Sequence, residues 1–424
     1  MNRIILIGNG FDLAHQMKTS YGHFINNYWN RLVIKLKENF IAQKYEDENI
    51  FIDRVPNQWL SENDFNSLSE SLKFSRETLK FKNKFLQILT KSAIELNWVD
   101  IENEYYSLLK NSYQNPDKNY SIKDLNKDFL LVQNLLEDYL SDVEKEFINS
   151  FPKTSEDLRL RRNIIDAIYS DFNLRDFSES SINKLTEQEF QRIYKTLNDL
   201  REEQITFEEL ELNERDKKLY SSLWHSKDVR KDIRKLLTSS ASTIFFRFRP
   251  KEILFLNFNY TSTEYEYKDA PQDDEFKERI QIDINHIHGV LKNRTDNKII
   301  FGFGDEIDEN YKNIEKLNDN DYLQNIKSIK YLESESYKSL LEFINSDDYQ
   351  IYLFGHSCGV SDRTLLNTLF ENNNCCSIKP YYRQIDESKD NYTEIIKNIS
   401  RNFTNKTSMR DKVVNKIYTK PLFK

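Results

Sequence analysis

Glycine is nearly missing: the chain holds 8 in 424 residues, where average usage would give about 30. Abundant Asn, Lys, Ile and Tyr point to an A/T-rich coding bias, yet the survivors are not scattered. Gly8 and Gly10 stand together, as do Gly302 and Gly304, and Gly355 and Gly359, while Gly289 follows His288 and only Gly22 lies outside a motif. In such a chain, glycine marks places where the backbone needs a positive φ or close approach to another group. Cysteine is also scarce. Cys358, Cys375 and Cys376 form no spaced ligand pairs, which excludes a disulfide framework and a zinc knuckle and predicts a reducing cytoplasm without a structural metal. No run approaches the roughly 20 apolar residues of a membrane span. Met1 to Ile7 carries one Arg and a short β-like run, unlike a signal peptide. An excess of positive charge is absent too: the net charge of −8 gives no electrostatic reason to bind duplex nucleic acid, although a local basic patch stays open. No repeat of fixed period occurs, so a solenoid is not expected.

What is present describes a folded chain. Aromatic residues make up 13% and hydrophobic residues 38%, too many for long disorder. The length allows two or three domains, or one α/β domain with a large insertion. Ile4 to Ile7 reads as a buried strand ending in Gly8-Asn9-Gly10. A helix comes next, capped by Thr19 or Ser20, with Phe24, Tyr28, Leu32 and Leu36 at fourfold spacing. Residues 40–75 read as irregular and polar. From about 76 to 243 nearly every segment has helical period, including a stripe of Trp98, Ile101, Tyr105 and Leu108. Another, from Leu125 to Phe147 at 3.5 spacing, is fit to pack within the chain or across a homo-oligomer. Strand signals return at Ile253–Leu256, Ile280–Ile284, Ile299–Phe301, Ile351–Phe354 and Ile378–Tyr382, several of them leading into a Gly turn or a helical stretch. The expected fold is therefore α/β: a Rossmann-like, doubly wound, mainly parallel sheet, discontinuous in sequence. Residues 1–40 and 245–424 form its core, and 41–244 form a large helical insertion for sensing, gating or oligomerisation.

Gly8-Asn9-Gly10-Phe11-Asp12 has the form of a turn that cradles phosphate against a helix N-terminus. The third glycine of the dinucleotide fingerprint is replaced by Leu13, and a plain strand-to-loop turn with Asp12 capping locally is equally open. Asn257-Phe258-Asn259-Tyr260-Thr261 comes directly after an apolar strand, at the end where ligands of open parallel sheets bind. An Asn there can orient water or a ribose hydroxyl, although an Asn- and Thr-rich turn is the commoner reading. His286 and His288 share one strand face. With 6 histidines in the chain, two before Gly289 tilt His288 toward a general base, whereas a buried, hydrogen-bonded ring fits at least one of them. Gly355-His356-Ser357-Cys358-Gly359 matches the G-x-S-x-G nucleophile elbow, but no histidine lies beyond Ser357. Glu102 shares the stripe of Trp98 and Tyr105, where burial would raise its pKa. Asp305-Glu306 after Gly304 can bind ribose or end a strand in solvent, and the second reading is preferred.

Together these stretches resemble the AbiH family of bacterial abortive-infection proteins. The resemblance is carried by Leu6 to His15 with Thr19-Ser20-Tyr21, Trp98 to Glu102, Asn257 to Thr261, His286 to Gly289, Phe301 to Glu306 and Gly355 to Asp362. More distantly, their order is similar to that of sirtuin-type NAD-binding domains. That resemblance implies Asn259 and His288 as catalytic residues. It implies a nucleotide held by Gly8, Asn9, Gly10, Phe11, Asp12, Tyr260, Thr261, Gly355, His356, Ser357 and Asp362, with His15, Glu102 and His286 as additional candidates. Thr261 stands where sirtuins have an acid, and no zinc ribbon is present, which turns the expectation away from protein deacylation. The activity so implied is hydrolysis of NAD at the nicotinamide–ribose bond, with NAD as substrate or ligand, no required cofactor, and a phage component as trigger. Two other classes stay open. One is a nucleotide-binding sensor or scaffold without turnover; the other is a metal-dependent nuclease built on Asp12 and Glu102.

Overall fold

The computed structural model describes residues 1–38, 44–53, 79–96, 100–152, 154–202, 205–206, 210, 212–269, 280–292 and 298–423. Trp98, part of the expected helical stripe, lies outside them. Strand β1 (Asn2–Ile7) is buried along its whole length and pairs in parallel with β5 (Glu252–Asn257) on one side and β7 (Tyr349–Phe354) on the other. Outside β5 lies β6 (Gln281–His286); outside β7 lie β8 (Cys375–Arg383) and β9 (Pro421–Phe423), all parallel. The spatial order is β6-β5-β1-β7-β8-β9. Three successive strands of the sheet thus step outward from β1, the chain crosses back, and three more step outward on the other side. This is the doubly wound Rossmann order, with its switch point between β1 and β7. The expected fold class holds.

The continuous apolar runs exist because both sheet faces are covered. Alternate residues turn to opposite faces. Ile4, Leu6, Leu254, Leu256, Ile351 and Leu353 pack against helices Ser336–Ser346, Arg363–Glu371 and Tyr392–Asn402. Ile5, Ile7, Ile253, Phe255, Tyr352 and Phe354 pack against helix Ser155–Ile168.

The residues between β1 and β5 separate into three parts. Helices α1 (Asn9–Ala14), α2 (Tyr21–Glu38), α3 (Lys84–Leu96), α4 (Ile101–Gln114) and α5 (Ile122–Ile148) come first. From α2 onward they share a core with Tyr260, Phe301, Phe303 and Ile326, beside the carboxyl ends of the strands. Helix α6 (Ser155–Ile168) then lies on the sheet. Finally α7 (Glu179–Arg201), α8 (Glu214–Leu223) and α9 (Val229–Thr238) form a core with Phe246 and Cys376 at the opposite, amino-terminal end. There Lys184 pairs with Asp348 at 2.7 Å, and Ser178 N–H donates to the Cys376 carbonyl at 2.9 Å. The stripe on α5 is spent inside the chain, with Leu125, Phe129, Val132 and Leu136 buried.

Three local expectations change. Residues 40–75, read as irregular, contain β2 (Tyr45–Glu46) and β3 (Ile50–Ile52), which pair antiparallel with β4 (Leu79–Phe81). Short strands of two or three residues give too little alternation to read. Ile299–Phe301 is not a strand. Its aromatic end is drawn to helices instead, Phe301 stacking on Phe129 at 4.7 Å and Phe303 on Tyr106 at 3.8 Å. Asp305 is buried and paired with Arg363 at 3.3 Å rather than in solvent.

Candidate active site

The turns after β1, β5 and β7, and the strand end at β6, open on a cleft of about 870 Å³ whose far wall comes from α2, α4 and α5. The glycines build its floor differently from a phosphate cradle. Gly10 N–H donates to the Gly355 carbonyl at 2.9 Å, Gly8 N–H to the Phe354 carbonyl at 3.2 Å, and Phe11 N–H to the Gly8 carbonyl at 2.8 Å. Gly355 has φ +71°, and a Cβ on it would stand 2.1 Å from Phe11 N. The two turns are locked backbone to backbone at the switch point, and the N–H groups of Gly8, Gly10 and Phe11 are already used. Because α1 begins directly after Gly8, Phe11 and His15 fall one turn apart on its inner face. Phe11 packs on Tyr267 and Phe354. His15 Nδ1–H donates to the Phe11 carbonyl at 2.7 Å and its Nε2 accepts from Tyr267 Oη at 2.5 Å; burial lowers its pKa to about 4. Neither lines the cleft. His286 does not line it either, being buried 2.8 Å from Glu264, which also accepts from Asn257 Nδ2 at 2.6 Å.

The remaining expected residues do converge: Gly8, Asn9, Gly10, Asp12, Glu102, Asn259, Tyr260, Thr261, His288, Gly355, His356, Ser357 and Asp362 all line the cleft. On the β1–β5 side, Asp12 is buried and accepts from Thr261 Oγ1 at 2.5 Å and Thr263 Oγ1 at 2.8 Å. Burial raises its pKa to about 7 against those two hydroxyls, and the nearby Asn259 amide also opposes the rise. Asn259 itself is oriented from behind, its N–H donating to Asn257 Oδ1 at 2.8 Å.

At the cleft's centre is a residue the sequence did not signal. Lys327 is buried, with Nζ 2.9 Å from Glu102 and 2.7 Å from Asp362. It is brought in by Gly302 and Gly304. Gly302 has φ +153° and a Cβ there would sit 2.1 Å from the Asn325 carbonyl, so the 301–304 segment can run against 325–327. Asp362 also faces His288 Nε2 at 3.2 Å and His356 Nε2 at 3.9 Å. Burial works to raise the Asp362 carboxyl, but Lys327 and His288 outweigh it and hold it far below the usual range. Glu102 is the surplus charge: one ammonium cannot offset two carboxylates. Burial and the ionised Asp362 together overcome Lys327 and lift Glu102 to about 7. Two carboxylates pushed apart in this way divide acid and base roles between them.

His288 is held rather than free. Nδ1 lies 3.1 Å from the Phe258 carbonyl and Nε2 3.2 Å from Tyr331 Oη. Its pKa is lowered, by burial first and by Lys327 second, against the pull of Asp362. His356 Nδ1 accepts the Cys358 N–H at 3.0 Å, leaving the Nε2 proton facing Asp362, and burial lowers its pKa to about 4. Ser357 is exposed, and the adjacent histidine's Nδ1 is engaged with Cys358, so the G-x-S-x-G match does not assemble an elbow. The space between Glu102 and Asp362 is filled by the Lys327 ammonium, and among the described residues no group of three or more His, Cys, Asp or Glu side chains is arranged to hold a metal ion. No described helix is long and apolar enough to cross a membrane.

No curated protein and no solved structure matches the chain. The family described as bacteriophage abortive infection AbiH matches it over residues 4–383, a span that runs from β1 through β8 and takes in every cleft residue named so far. With nine-tenths of its length inside that match, the chain belongs to the AbiH family of bacteriophage abortive infection proteins.

Proposed function

We propose that the cleft hydrolyses the nicotinamide–ribose bond of NAD, removing the cofactor from an infected cell. The observation that carries this reading is Glu102, a buried carboxylate that has to share the single Lys327 ammonium with Asp362 in the same cleft as Asn259 and His288, and whose carboxyl burial pushes up. In NAD the pyridinium nitrogen is cationic. When the C1′–N bond breaks, its electron pair goes to that nitrogen and nicotinamide leaves neutral, so no general acid is needed. The ribose becomes oxocarbenium-like, and water adds to C1′ as its proton passes to a base. A site for this reaction needs negative charge beside the ribose and one carboxylate able to accept a proton at neutral pH. Glu102 supplies the second; once it is ionised, Glu102 and Asp362 together exceed the charge of Lys327 and supply the first.

The role expected of His288 shifts accordingly. Both ring nitrogens have protein partners and its pKa is lowered, so His288 is a positioning residue that holds Asp362 and the β6 end of the cleft. Asn259 keeps the role of orienting the ribose hydroxyls or the attacking water.

The purified protein is expected to convert NAD to nicotinamide and ADP-ribose, read by chromatography. Glu102→Gln keeps the shape of the side chain, and its kcat is expected to fall by about 10² or more. NAD left intact by the wild-type protein together with protein from infected cells would count against turnover and favour a nucleotide sensor. Unchanged kcat in Glu102→Gln would remove the base assigned here.

A further inference from the structure

The N–H groups of Gly8, Gly10 and Phe11 are already bonded within the protein, which leaves the glycine turn short of donors for a dinucleotide's phosphates. Building on the NAD reading, we propose that Arg383 and Arg401 form the diphosphate subsite. Both line the cleft on its β8 side. Arg383 is the last residue of β8, and its N–H donates to Asn391 Oδ1 at 2.7 Å, which ties the strand end to the start of helix Tyr392–Asn402. Arg401 lies on that helix and is held over the switch point. Its Nη1 donates to Asn398 Oδ1 at 2.6 Å, and Asn398 Nδ2 donates at 2.8 Å to the carbonyl of Ser357, in the turn after β7. Both side chains are exposed and neither forms a salt bridge among the described residues, although Glu394 on the same helix lies close enough to Arg401 to feel its charge. An exposed guanidinium outside a salt bridge keeps donors available for a phosphate contact.

The placement also gives the cleft a direction. Asp12 follows β1, Asp362 follows β7 and Glu102 lies on α4, whereas Arg383 ends β8 and Arg401 lies on the helix after it. In the sheet β1 lies two strand spacings from β8 and β7 lies one, about 10 Å and 5 Å. A cationic nicotinamide riboside at one end and a diphosphate toward the other match this separation of charge in sign and order. A mononucleoside with no phosphate would leave the basic end empty.

ADP carries the diphosphate and has no bond for the hydrolase to break, so its binding tests the subsite without turnover. Titration calorimetry at low salt is expected to show ADP binding to the wild-type protein. The Arg383→Gln, Arg401→Gln double variant should bind at least about tenfold more weakly. Both side chains are exposed, so the fold is expected to survive, and an unchanged melting temperature verifies it. In steady-state assays the same variant should raise KM for NAD while KM for nicotinamide riboside, which lacks the diphosphate, stays put. Equal ADP affinity in variant and wild type, or no ADP binding by the wild type, overturns the subsite. Arginine-dependent ADP binding without NAD cleavage overturns the hydrolase reading and leaves the subsite standing.

Discussion

Lys327 reaches two carboxylates, at 2.9 Å and 2.7 Å, and it can neutralise one. Which one it neutralises is decided by the neighbours: Asp362 has His288 and His356 beside it, while Glu102 has none of these and stays near 7. Asp12 reaches a similar value by another route, burial against two threonine hydroxyls. Its sign for stability is fixed. A carboxyl that ionises near 4 in the unfolded chain and near 7 in the folded one contributes stability below about pH 4, and that contribution is lost as pH rises through 7. Asp12→Asn has no such loss. The melting temperature of the wild type relative to Asp12→Asn is therefore expected to fall between pH 5 and pH 8; a constant or rising difference contradicts the burial account of Asp12. At this scale the sequence was legible where a residue came just after a strand. Asn259, Asp12, His288 and Asp362 all stand just past apolar runs, and the topology of a parallel sheet gathers such positions. Lys327 was not legible, because it is one of 61 basic residues and lies 225 positions from Glu102. Phe11 and His15 were misplaced because α1 starts at Asn9, with Gly8 alone between it and β1, which turns them inward.

The turns after β1 and β7 act as one element. Gly355 cannot carry a Cβ: the backbone sits at φ +71° and Phe11 N occupies the space, 2.1 Å away. Gly355→Ala combines a strained conformation with overpacking and is expected to cost about 3–5 kcal/mol, read from the denaturant midpoint. A Cβ on Gly22, in the first turn of α2, would come no nearer than 3.9 Å to Ser20 Oγ, so Gly22→Ala is expected to be neutral or to gain about 0.5–1 kcal/mol. Equal effects at the two positions would contradict the interlock. Glycine scarcity correctly drew attention to these sites. What it could not distinguish was close approach to a ligand from close approach to another turn, since both need the same missing Cβ. The same limit applies at Gly302 and Gly304, whose purpose is to admit Lys327.

Across the whole molecule, the sequence order of strands was enough for a doubly wound sheet, because each long central strand is a continuous apolar run buried on both faces. The residues between β1 and β5 were less legible. Helical period identifies a helix and its buried stripe, but not which of two distant cores receives it. Hence α2, α4 and α5 roof the cleft at one end of the strands, with α3 in their core, while α7 to α9 pack at the other, and α6 lies on the sheet between them. This arrangement places the helices that roof the cleft in the segment that separates β1 from its partner β5. It also leaves α7 to α9 remote from the chemistry, so contact there has to act through the sheet.

The most direct test tracks NAD in cells during phage challenge, comparing the wild-type chain with Glu102→Gln at matched protein levels. NAD is expected to collapse before lysis in wild-type cells, with nicotinamide and ADP-ribose appearing, and both the collapse and protection are expected to be lost with Glu102→Gln. Protection by the wild-type chain with NAD undiminished would contradict NAD hydrolysis as the basis of defence.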